Sequence, residues 1–324
     1  TAFLLIGSSV FVYLSFRSGN LQKVLADKVT SKITTNNAEK GILNTILGFE
    51  GPRTYLILFL NNTEMRPGGG FIGAYGLLQI NKGVPHLIKV EGTEILDNLG
   101  KKDFASVAPA PITKYLKVSR WFFRDSNWSP DFSLSAQKSI DLFLKQGGLV
   151  GAPKIDAVIG FTPTMIEEVL KIHGPIKVNG EEFNAKNFTE KLEYEVEYGY
   201  AKRGLEFAER KNMLRDLAYG LLTELRFDIF KNWQKYYDLL QRVLREKQLV
   251  AYASNSDEQA ILFEKDWAGI MRPTPQDYLL WVDANLGALK TDAALERELS
   301  YTITPDKNGK FLATTKMKFI HKGK

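Results

Sequence analysis

The sequence has no cysteine in its 324 residues. Disulfides, iron–sulfur clusters, thiolate zinc sites and a cysteine nucleophile are therefore excluded. Only three histidines occur, at positions 86, 173 and 321, and because each stands alone a histidine-rich metal site is not expected. The phosphate-loop pattern GxxxxGK[ST] and the serine-nucleophile pattern GxSxG are also absent. The sequence thus lacks the signatures of thiol enzymes, serine hydrolases and nucleotide hydrolases.

The composition is that of a folded protein with a moderate positive charge. Hydrophobic residues make up 44% and charged residues 25%, so wholesale disorder is excluded, and the length suits two domains or one large one. The 43 basic and 37 acidic residues leave a net charge of +6. That balance fits either a mixed soluble surface or an anionic partner. Because no basic stripe with interleaved aromatics occurs, we expect no nucleic-acid partner.

Residues 2–16 (AFLLIGSSVFVYLSF) form an uncharged stretch that is followed by Arg17. A membrane-spanning helix needs about 20 apolar residues. The sequence begins with Thr1 rather than methionine, and we expect the rest of the span in a longer protein. A signal-peptide remnant and a buried core helix are the alternatives. The prediction is a truncated membrane anchor over residues 1–17, with a large body on one side of the membrane.

Changes in hydrophobic periodicity divide the rest of the chain. We predict juxtamembrane helices over 18–50, an α/β body over 51–248 with a helical insertion near 184–248, and a β-rich, truncated part over 249–324. Strands that alternate with helices predict a layered α/β fold. The predicted strands cover 53–60, 71–80, 86–90, 155–160, 176–178, 249–253, 277–284, 299–304 and 310–320. The predicted helices cover 132–147, 163–172, 187–200, 205–226 and 231–247.

A glycine-rich loop, PGGGFIG, starts at Pro67 and contains the spacing GxGxxG. A dinucleotide fingerprint has to open a helix, whereas the residues that follow here predict a strand. Arg66 stands directly before the loop, and an arginine fork beside backbone N–H groups is suited to holding a phosphate or a carboxylate. The alternative is a surface arginine paired with Glu64. The candidate ligand-binding residues of this region are Asn61, Asn62, Arg66, Gly69 and Gly70.

Two further segments combine charge with order-promoting residues. In WFFRDSNWSPD, from Trp121 to Asp131, the pair Arg124 and Asp125 lies among aromatics, and Asp125 is a candidate general base or metal ligand. The alternative is that Asp125 buttresses a turn of a packed loop. The helical stretch 203–226 carries a basic row, Arg203, Arg210, Lys211 and Arg215, that either faces an anionic ligand or forms a solvated surface. The candidate residues here are Asn127, Arg203, Arg210 and Lys211.

Four strings in the same order resemble the bacterial family called domain of unknown function 4012. They are FLNNTEMRPGGGFIGAYGLL, RDSNWSPDFSLSAQ, DAVIGFTPTMIEEVLKIHGPIKVNG and YLLWVDANLGALKTD, and they extend the resemblance from about residue 50 to 320. Members of that family look like single-pass proteins that face the cell envelope. The resemblance therefore implies a body on the extracytoplasmic side of the cell membrane.

A more distant resemblance, to the LytR-CpsA-Psr glycopolymer transferases, implies a chemistry. The order helix, strand, helix and GPIKVNG over 132–180 is similar to that family, and ERKNMLRDLAYGLL is similar to its arginine-bearing helix. The resemblance implies a three-layer sheet with flanking helices, a polyprenyl-pyrophosphate ligand held by Arg210 and Lys211, and Mg²⁺. The family signature SxPRD is missing, and KVEG stands at 89–92 where it is expected.

These observations lead to two functional hypotheses. In the first, a membrane-anchored envelope protein binds a polyprenyl-(pyro)phosphate-linked glycan and transfers it to the cell wall or surface. Arg66, Arg124 and Arg210 would then neutralise the pyrophosphate, and Asp125 would position Mg²⁺ or act as a base. In the second, the protein is a non-catalytic structural or glycan-binding component of a cell-surface assembly, and residues 121–131 pack or stack on sugar. Convergence of the three arginines on one pocket discriminates between the hypotheses, and both leave an oligomer open.

Overall fold

The computed structural model describes residues 23–24, 27, 37–99, 106–148, 154–206, 209–287 and 290–323. The predicted anchor at 1–17 and most of the predicted helical stretch before residue 37 lie outside these ranges. Within the described ranges no helix combines the length and the apolar character needed to cross a membrane.

Strands and helices alternate along the body, as the periodicity predicts. The strands are β1 (Arg53–Asn61), β2 (Phe71–Asn81), β3 (Val84–Gly92), β4 (Ala157–Phe161), β5 (Ile176–Val178), β6 (Glu181–Phe183), β7 (Leu249–Ala253), β8 (Leu295–Pro305) and β9 (Phe311–His321). The helices are α1 (Asn37–Ile46), α2 (Thr93–Leu99), α3 (Ala110–Leu116), α4 (Phe132–Lys145), α5 (Pro163–His173), α6 (Phe188–Tyr194), α7 (Tyr200–Lys202), α8 (Asn212–Lys231), α9 (Trp233–Arg245) and α10 (Ser256–Glu264). Short 3₁₀ turns cover Phe123–Asp125 and Thr291–Ala294, and a π turn covers Glu195–Gly199.

The central sheet has five strands in the order β3-β2-β1-β4-β7. β1 and β4 run parallel, whereas the other neighbouring pairs are antiparallel. β7, which the sequence assigned to the C-terminal part, thus completes the sheet of the body. The sheet is mixed because a tight turn joins β2 to β3, whereas a helix-containing connection of 64 residues, 93–156, returns the chain from β3 to β4.

Helices cover both faces of this sheet. Successive side chains of a strand point to opposite faces. Leu56 and Leu58 of β1 pack with Phe132 of α4 in the main core, whereas Ile57 packs with Ile46 of α1 in a separate cluster. The predicted layered α/β architecture, a central sheet with flanking helices, is confirmed.

The helical region forms its own core beside the sheet. The hairpin β5-β6 packs Ile176 and Phe183 against Met213 and Leu217 of α8, and α5 packs Val169 against α9. The predicted helix 205–226 in fact begins at Asn212 and continues to Lys231. The predicted helix 187–200 forms as consecutive helical turns from Phe188 to Lys202, with a π turn at 195–199 in place of regular α-helix.

The C-terminal strands form a long hairpin, whereas the strand predicted over 277–284 does not form. β8 and β9 pair over eleven residues each, around the predicted turn at 306–309. Residues 267–285 contain neither helix nor strand. Pro273 and Pro275 lack the N–H needed for strand pairing just ahead of that segment. It contacts the hairpin through side chains instead, with the Trp281 ring centroid 5.3 Å from that of Phe319.

Candidate functional site

Arg66 lies in the loop between β1 and β2 and is 2% exposed. Its Nε donates to Asp125 Oδ1 at 2.9 Å, and its Nη2 donates to Glu64 Oε1 at 3.2 Å. Its Nη1 donates to the carbonyl oxygen of Asn285 at 2.7 Å. The guanidinium therefore faces protein groups on three sides, and the predicted pairing with Glu64 exists in the interior rather than on the surface.

The ion pairs around Arg66 are desolvated. Glu64 and Asp125 are both buried, and burial raises the pKa of the Glu64 carboxyl although Arg66 opposes the rise. The Arg66 guanidinium carbon also lies 5.0 Å from the centre of the Phe71 ring. A buried charge without its partner is costly, so this arrangement holds the loop in one conformation.

The glycine loop is closed by Asn127 rather than left open to a ligand. Asn127 Nδ2 donates to the Gly70 carbonyl at 2.6 Å, and the Gly68 N–H donates to the Asn127 carbonyl at 2.9 Å. The Gly69 N–H donates to the Arg66 carbonyl at 3.0 Å. Gly69 and Gly70 have φ values of 107° and 143°, and a Cβ on Gly70 would lie 2.5 Å from the Asn61 carbonyl oxygen. Glycine is needed here for close packing of the loop.

Asn61 and Asn62, at the end of β1, bond to neighbouring elements. Asn61 Oδ1 accepts the Thr63 N–H at 3.0 Å, which is an Asx turn. Asn62 Nδ2 donates to Thr164 Oγ1 of α5 at 3.3 Å. Both side chains therefore serve the local junction between the sheet and the helical region.

Arg124 is the partly exposed member of the buried charge cluster. Its Nε lies 3.4 Å from Asp97 Oδ2 and 3.9 Å from Asp125 Oδ2, and its side chain is 34% exposed. Burial raises the pKa of the Asp97 carboxyl to about 7, an effect that Arg124 only partly opposes. Asp97 was not predicted from the sequence. Its position is one helical turn from Thr93 and beside Leu96, on the buried face of α2, and this is the pattern that could have revealed it.

Arg210 and Lys211 belong to a second charge cluster, at the start of α8. Arg210 pairs with Glu94 at 3.1 Å and with Glu197 at 3.3 Å, and Lys211 pairs with Glu94 at 2.6 Å. Lys211 Nζ also donates to the Gly73 carbonyl. Burial lowers the pKa of Lys211, although Glu94 opposes the shift. Burial alone would raise the pKa of Glu94, but Lys211 and Arg210 together lower it.

Carboxylates match the cations throughout this second cluster. Lys290 lies 3.1 Å from Glu197 and 3.8 Å from Glu193, so three cations face three glutamates. Arg203 pairs separately with the buried Glu195. The arginines predicted to share one pocket are thus divided between two clusters, each supplied with its own carboxylates.

Asp125 does not present the ligand set that Mg²⁺ requires. Its Oδ1 accepts from Arg66, and its Oδ2 lies near Arg124. Among the residues that the structure describes, no group of three or more histidines and carboxylates has the proximity to hold a metal. Mg²⁺ needs several oxygen ligands in octahedral geometry. The residues around Asp125 therefore do not fit this ion.

A concave surface lies between the 121–131 segment and α4. It is an open groove of about 780 Å³, which we name the tryptophan groove. Residues of the 121–131 segment line one wall, and the exposed face of α4 lines the other. The lining residues are Trp121, Ser126, Trp128, Ser129, Pro130, Leu134, Ser135, Gln137, Lys138 and Asp141.

Serine hydroxyls fix the tryptophan segment onto α4. Ser126 Oγ and Ser139 Oγ are 2.6 Å apart, and Ser135 Oγ donates to the Ser129 carbonyl at 2.8 Å. Asp131 caps α4, because its Oδ1 accepts from the N–H groups of Ser133 and Leu134. The two walls of the tryptophan groove are therefore held in a fixed relation by bonds that do not depend on a ligand.

One family model matches part of the chain. Residues 50–197 match the model of the family described as "Protein of unknown function (DUF4012)". This segment resembles DUF4012. The predicted resemblance is thereby confirmed over the matched residues, which include the Arg66 loop, the 121–131 segment and α4. The fourth string, which lies beyond residue 197, is outside the match.

Solved structures from two Listeria species give weak matches. The Lin1025 protein of Listeria innocua shares 12% identity at a TM-score of 0.36, over 82% of this chain and 90% of that chain. Lmo1026 of Listeria monocytogenes, titled a putative transcriptional factor, shares 12% identity at 0.34, over 81% and 88%. TM-scores below 0.5 do not establish a common fold. A search of curated protein sequences gives no match.

Proposed function

We propose that this protein is a non-catalytic, glycan-binding component of a bacterial cell surface, with the tryptophan groove as its binding site. The observation that carries the proposal is that the candidate arginines are paired with carboxylates, whereas the aromatic groove is open. Arg66, Arg124 and Arg210 do not converge on one pocket, and carboxylates already contact each of them. The tryptophan groove, in contrast, is open and offers an aromatic face.

The two charge clusters are poorly suited to a pyrophosphate. A phosphate site provides cations or backbone N–H groups that are not already neutralised. Here an incoming anion would have to displace Asp125 and Glu64 from Arg66, and Glu94 from Lys211. Breaking a buried pair such as Arg66–Asp125 costs about 3–5 kcal/mol when the displaced carboxylate finds no new partner.

The chemistry of the tryptophan groove suits sugar hydroxyls. Hydroxyls both donate and accept hydrogen bonds, so they match a wall that offers the Gln137 amide, the Lys138 ammonium and the Asp141 carboxylate. The apolar C–H face of a sugar ring matches the face of an indole. A proline-rich peptide also docks on aromatic grooves, but it has few N–H groups to donate to a carboxylate.

The remaining parts of the account are proposals with separate support. The uncharged stretch 2–16 supports a membrane anchor that holds the body on the extracytoplasmic side. The order β4, α5 and β5, with Gly174 and Pro175 before β5, supports a LytR-CpsA-Psr-like sheet. The lipid-linked glycan is the second candidate ligand. It is favoured by the bond from Lys211 to Gly73, which brings the start of α8 to the strand that follows the glycine loop.

A glycan array tests the proposed function. The full chain, kept in a mild detergent, is compared with Trp128→Ala and with the control Trp267→Ala. Trp267 is a half-buried tryptophan outside the groove, with Lys265 Nζ 5.7 Å from its ring centre. Trp267→Ala therefore controls for the general effect of removing an indole from the protein. We expect the parent and Trp267→Ala to bind the same saccharides and Trp128→Ala to lose at least tenfold in affinity. Equal binding by all three proteins, or binding only to a proline-rich peptide spotted on the array, contradicts the proposal.

A further inference from the structure

The two tryptophans of the groove have different environments. Trp121 packs against the main core, its Nε1 donates to the Asp125 carbonyl at 2.8 Å, and Lys138 Nζ lies 4.9 Å from its ring centre. Trp128 is also half-buried, and none of the ring or cation contacts among the described residues involves its indole. Lys138 therefore lies over the ring of Trp121, whereas Trp128 is the indole of the groove that no neighbouring cation covers in the described structure.

The charges of the tryptophan groove cancel one another. Lys138 Nζ and Asp141 Oδ2 are 3.1 Å apart, and they are the two charged residues of the lining. Outside the lining, Lys145 also pairs with Asp141 at 2.9 Å, and Asp131 caps α4. Burial alone would raise the pKa of Asp141, but its contacts with Lys145 and Lys138 together lower it, so it is an anion at neutral pH. An anionic ligand would meet this carboxylate and would gain no uncompensated cation.

The polar groups of α4 follow the length of the groove. Leu134, Gln137, Lys138 and Asp141 have the spacing i, i+3, i+4 and i+7, which places them on one face of the helix. That face rises by about 1.5 Å per residue, so the span from Leu134 to Asp141 is about 10 Å. This length corresponds to about two sugar units laid along the helix.

On the basis of the glycan-binding function proposed above, we infer that the tryptophan groove selects neutral saccharides and rejects carboxylated and phosphorylated ones. Trp128 stacks on one ring, and the face of α4 from Gln137 to Asp141 exchanges hydrogen bonds with equatorial hydroxyls. The Lys138–Asp141 pair supplies one donor and one acceptor without a net charge. Selection against acidic sugars then comes from the desolvation and repulsion at Asp141, since specificity is a difference between two affinities.

Calorimetric titration with a matched pair of ligands tests the inference. The pair is a neutral hexasaccharide that is positive on the glycan array and its counterpart oxidised to the uronic acid at C6. We expect the neutral ligand to bind at least tenfold more tightly, with an affinity that changes less than twofold between 50 and 500 mM NaCl, because salt screens only charged contacts. In Asp141→Asn the ratio of the affinities for the neutral and the oxidised saccharide should fall by about tenfold, because Lys138 then faces the ligand without its carboxylate partner.

The possible results separate this inference from the proposed function. Equal or tighter binding of the uronic acid by the parent overturns the inference and leaves the proposed function in place. Binding of neither ligand, together with an array on which no saccharide responds, overturns both. Trp267→Ala is titrated in parallel, and a preference that changes in this control as much as in Asp141→Asn also overturns the inference.

Discussion

Arg66 donates from Nη1 to the carbonyl oxygen of Asn285 at 2.7 Å, and the Asn285 N–H in turn donates to the Met65 carbonyl at 2.9 Å. This reciprocal contact ties the glycine loop to the segment that leads into the C-terminal hairpin. The side chain of Asn285 donates to Asp292, which also accepts from the Met65 N–H. The four residues form one polar junction between the body and the hairpin.

The junction brings together residues from three separate stretches of the sequence. Arg66 comes from the string MRPGGG, Asp125 from RDSNW, and Asn285 with Asp292 from WVDANLGALKTD. These residues meet in the interior, where every polar group needs a partner. A structural role accounts for their chemical types without requiring a ligand.

The first prediction concerns Arg66. Because its removal leaves Asp125 and Glu64 as buried charges, Arg66→Gln should lower the free energy of unfolding by about 3–5 kcal/mol. Arg66→Lys should rescue little of this loss, since an ammonium cannot reproduce the three-sided contacts of the planar fork. Urea unfolding provides the measurement, with Arg215→Gln as the control. Arg215 is exposed beside Asp216, and its loss should change stability by under about 1 kcal/mol. Equal effects of Arg66→Gln and Arg215→Gln would show that Arg66 is not a structural residue.

The second prediction concerns the backbone of the glycine loop. An alanine at position 70 would carry a Cβ 2.5 Å from the Asn61 carbonyl and would keep a φ of 143°. Gly70→Ala should therefore destabilise the protein by more than the ~1–3 kcal/mol of backbone strain alone. Gly41→Ala is the matched control, because Gly41 lies in α1 with nothing within 4 Å of its Cβ position. That control should gain up to about 1 kcal/mol from helix propensity. If thermal unfolding shows Gly70→Ala to be as stable as the parent, the close packing of the loop is refuted.

The third prediction concerns pH. The folded protein holds the Asp97 proton up to about pH 7, whereas an unfolded aspartate loses it near pH ~4. The folded state thus binds more protons in this window, and the Asp97 contribution to stability falls as the pH rises from about 4 to 7. As the pH rises from about 4 to 7, the Asp97→Asn variant should become progressively more stable relative to the parent. Above about pH 7 the difference in unfolding free energy should stay constant.

A matched aspartate with the opposite shift serves as the control. A hydrogen bond from Tyr236 is the main cause of the lowered pKa of Asp228. Asp228→Asn should therefore lose stability relative to the parent as the pH rises through the range near ~4, and should show no trend up to pH 7. A flat difference for Asp97→Asn between pH 4 and 7 would rule out a buried carboxyl with a raised pKa.

The fourth prediction concerns Glu94, the carboxylate that Arg210 and Lys211 share. Glu94→Gln should lower the unfolding free energy by about 1–3 kcal/mol, between the values for exposed and buried pairs. It should also raise the affinity for inorganic pyrophosphate above that of the parent, because two cations lose a carboxylate partner. Glu298→Gln removes an exposed partner of Lys318 and should change neither quantity. Unchanged pyrophosphate binding in Glu94→Gln would show that pairing with Glu94 is not what prevents Arg210 and Lys211 from binding pyrophosphate.

The sequence predicted the layers of the fold better than it predicted which contacts the polar side chains make. Dense apolar strings such as RTYLILFL predict buried strands because periodicity reports burial directly, and β1 forms where expected. The strand at 277–284 was predicted because its alternation of apolar and polar residues is typical of a strand. The prediction is wrong because the main chain of this segment pairs with no neighbouring strand in the described structure. Boundaries near 195–212 were missed because a π turn and irregular residues interrupt a helical pattern.

The functional residues were harder to predict because pairing is a tertiary property. Nothing around Arg66 in the sequence reveals that Asp125 and Asn285, 59 and 219 residues away, complete its hydrogen bonds. The 121–131 segment was recognised as a packed aromatic wall, but the opposing face of α4 was not. Gln137 and Asp141 look like ordinary solvated helix positions until Trp128 is placed opposite them.

The most direct test of the central claim is a pair of titrations on the same preparation of the full chain in mild detergent. One titrant is inorganic pyrophosphate with Mg²⁺, and the other is the neutral hexasaccharide selected on the glycan array. The account predicts measurable heat with the saccharide, lost in Trp128→Ala, and no saturable heat with pyrophosphate. Saturable pyrophosphate binding that Arg66→Lys or a Lys211→Met variant abolishes, without saccharide binding, would contradict it.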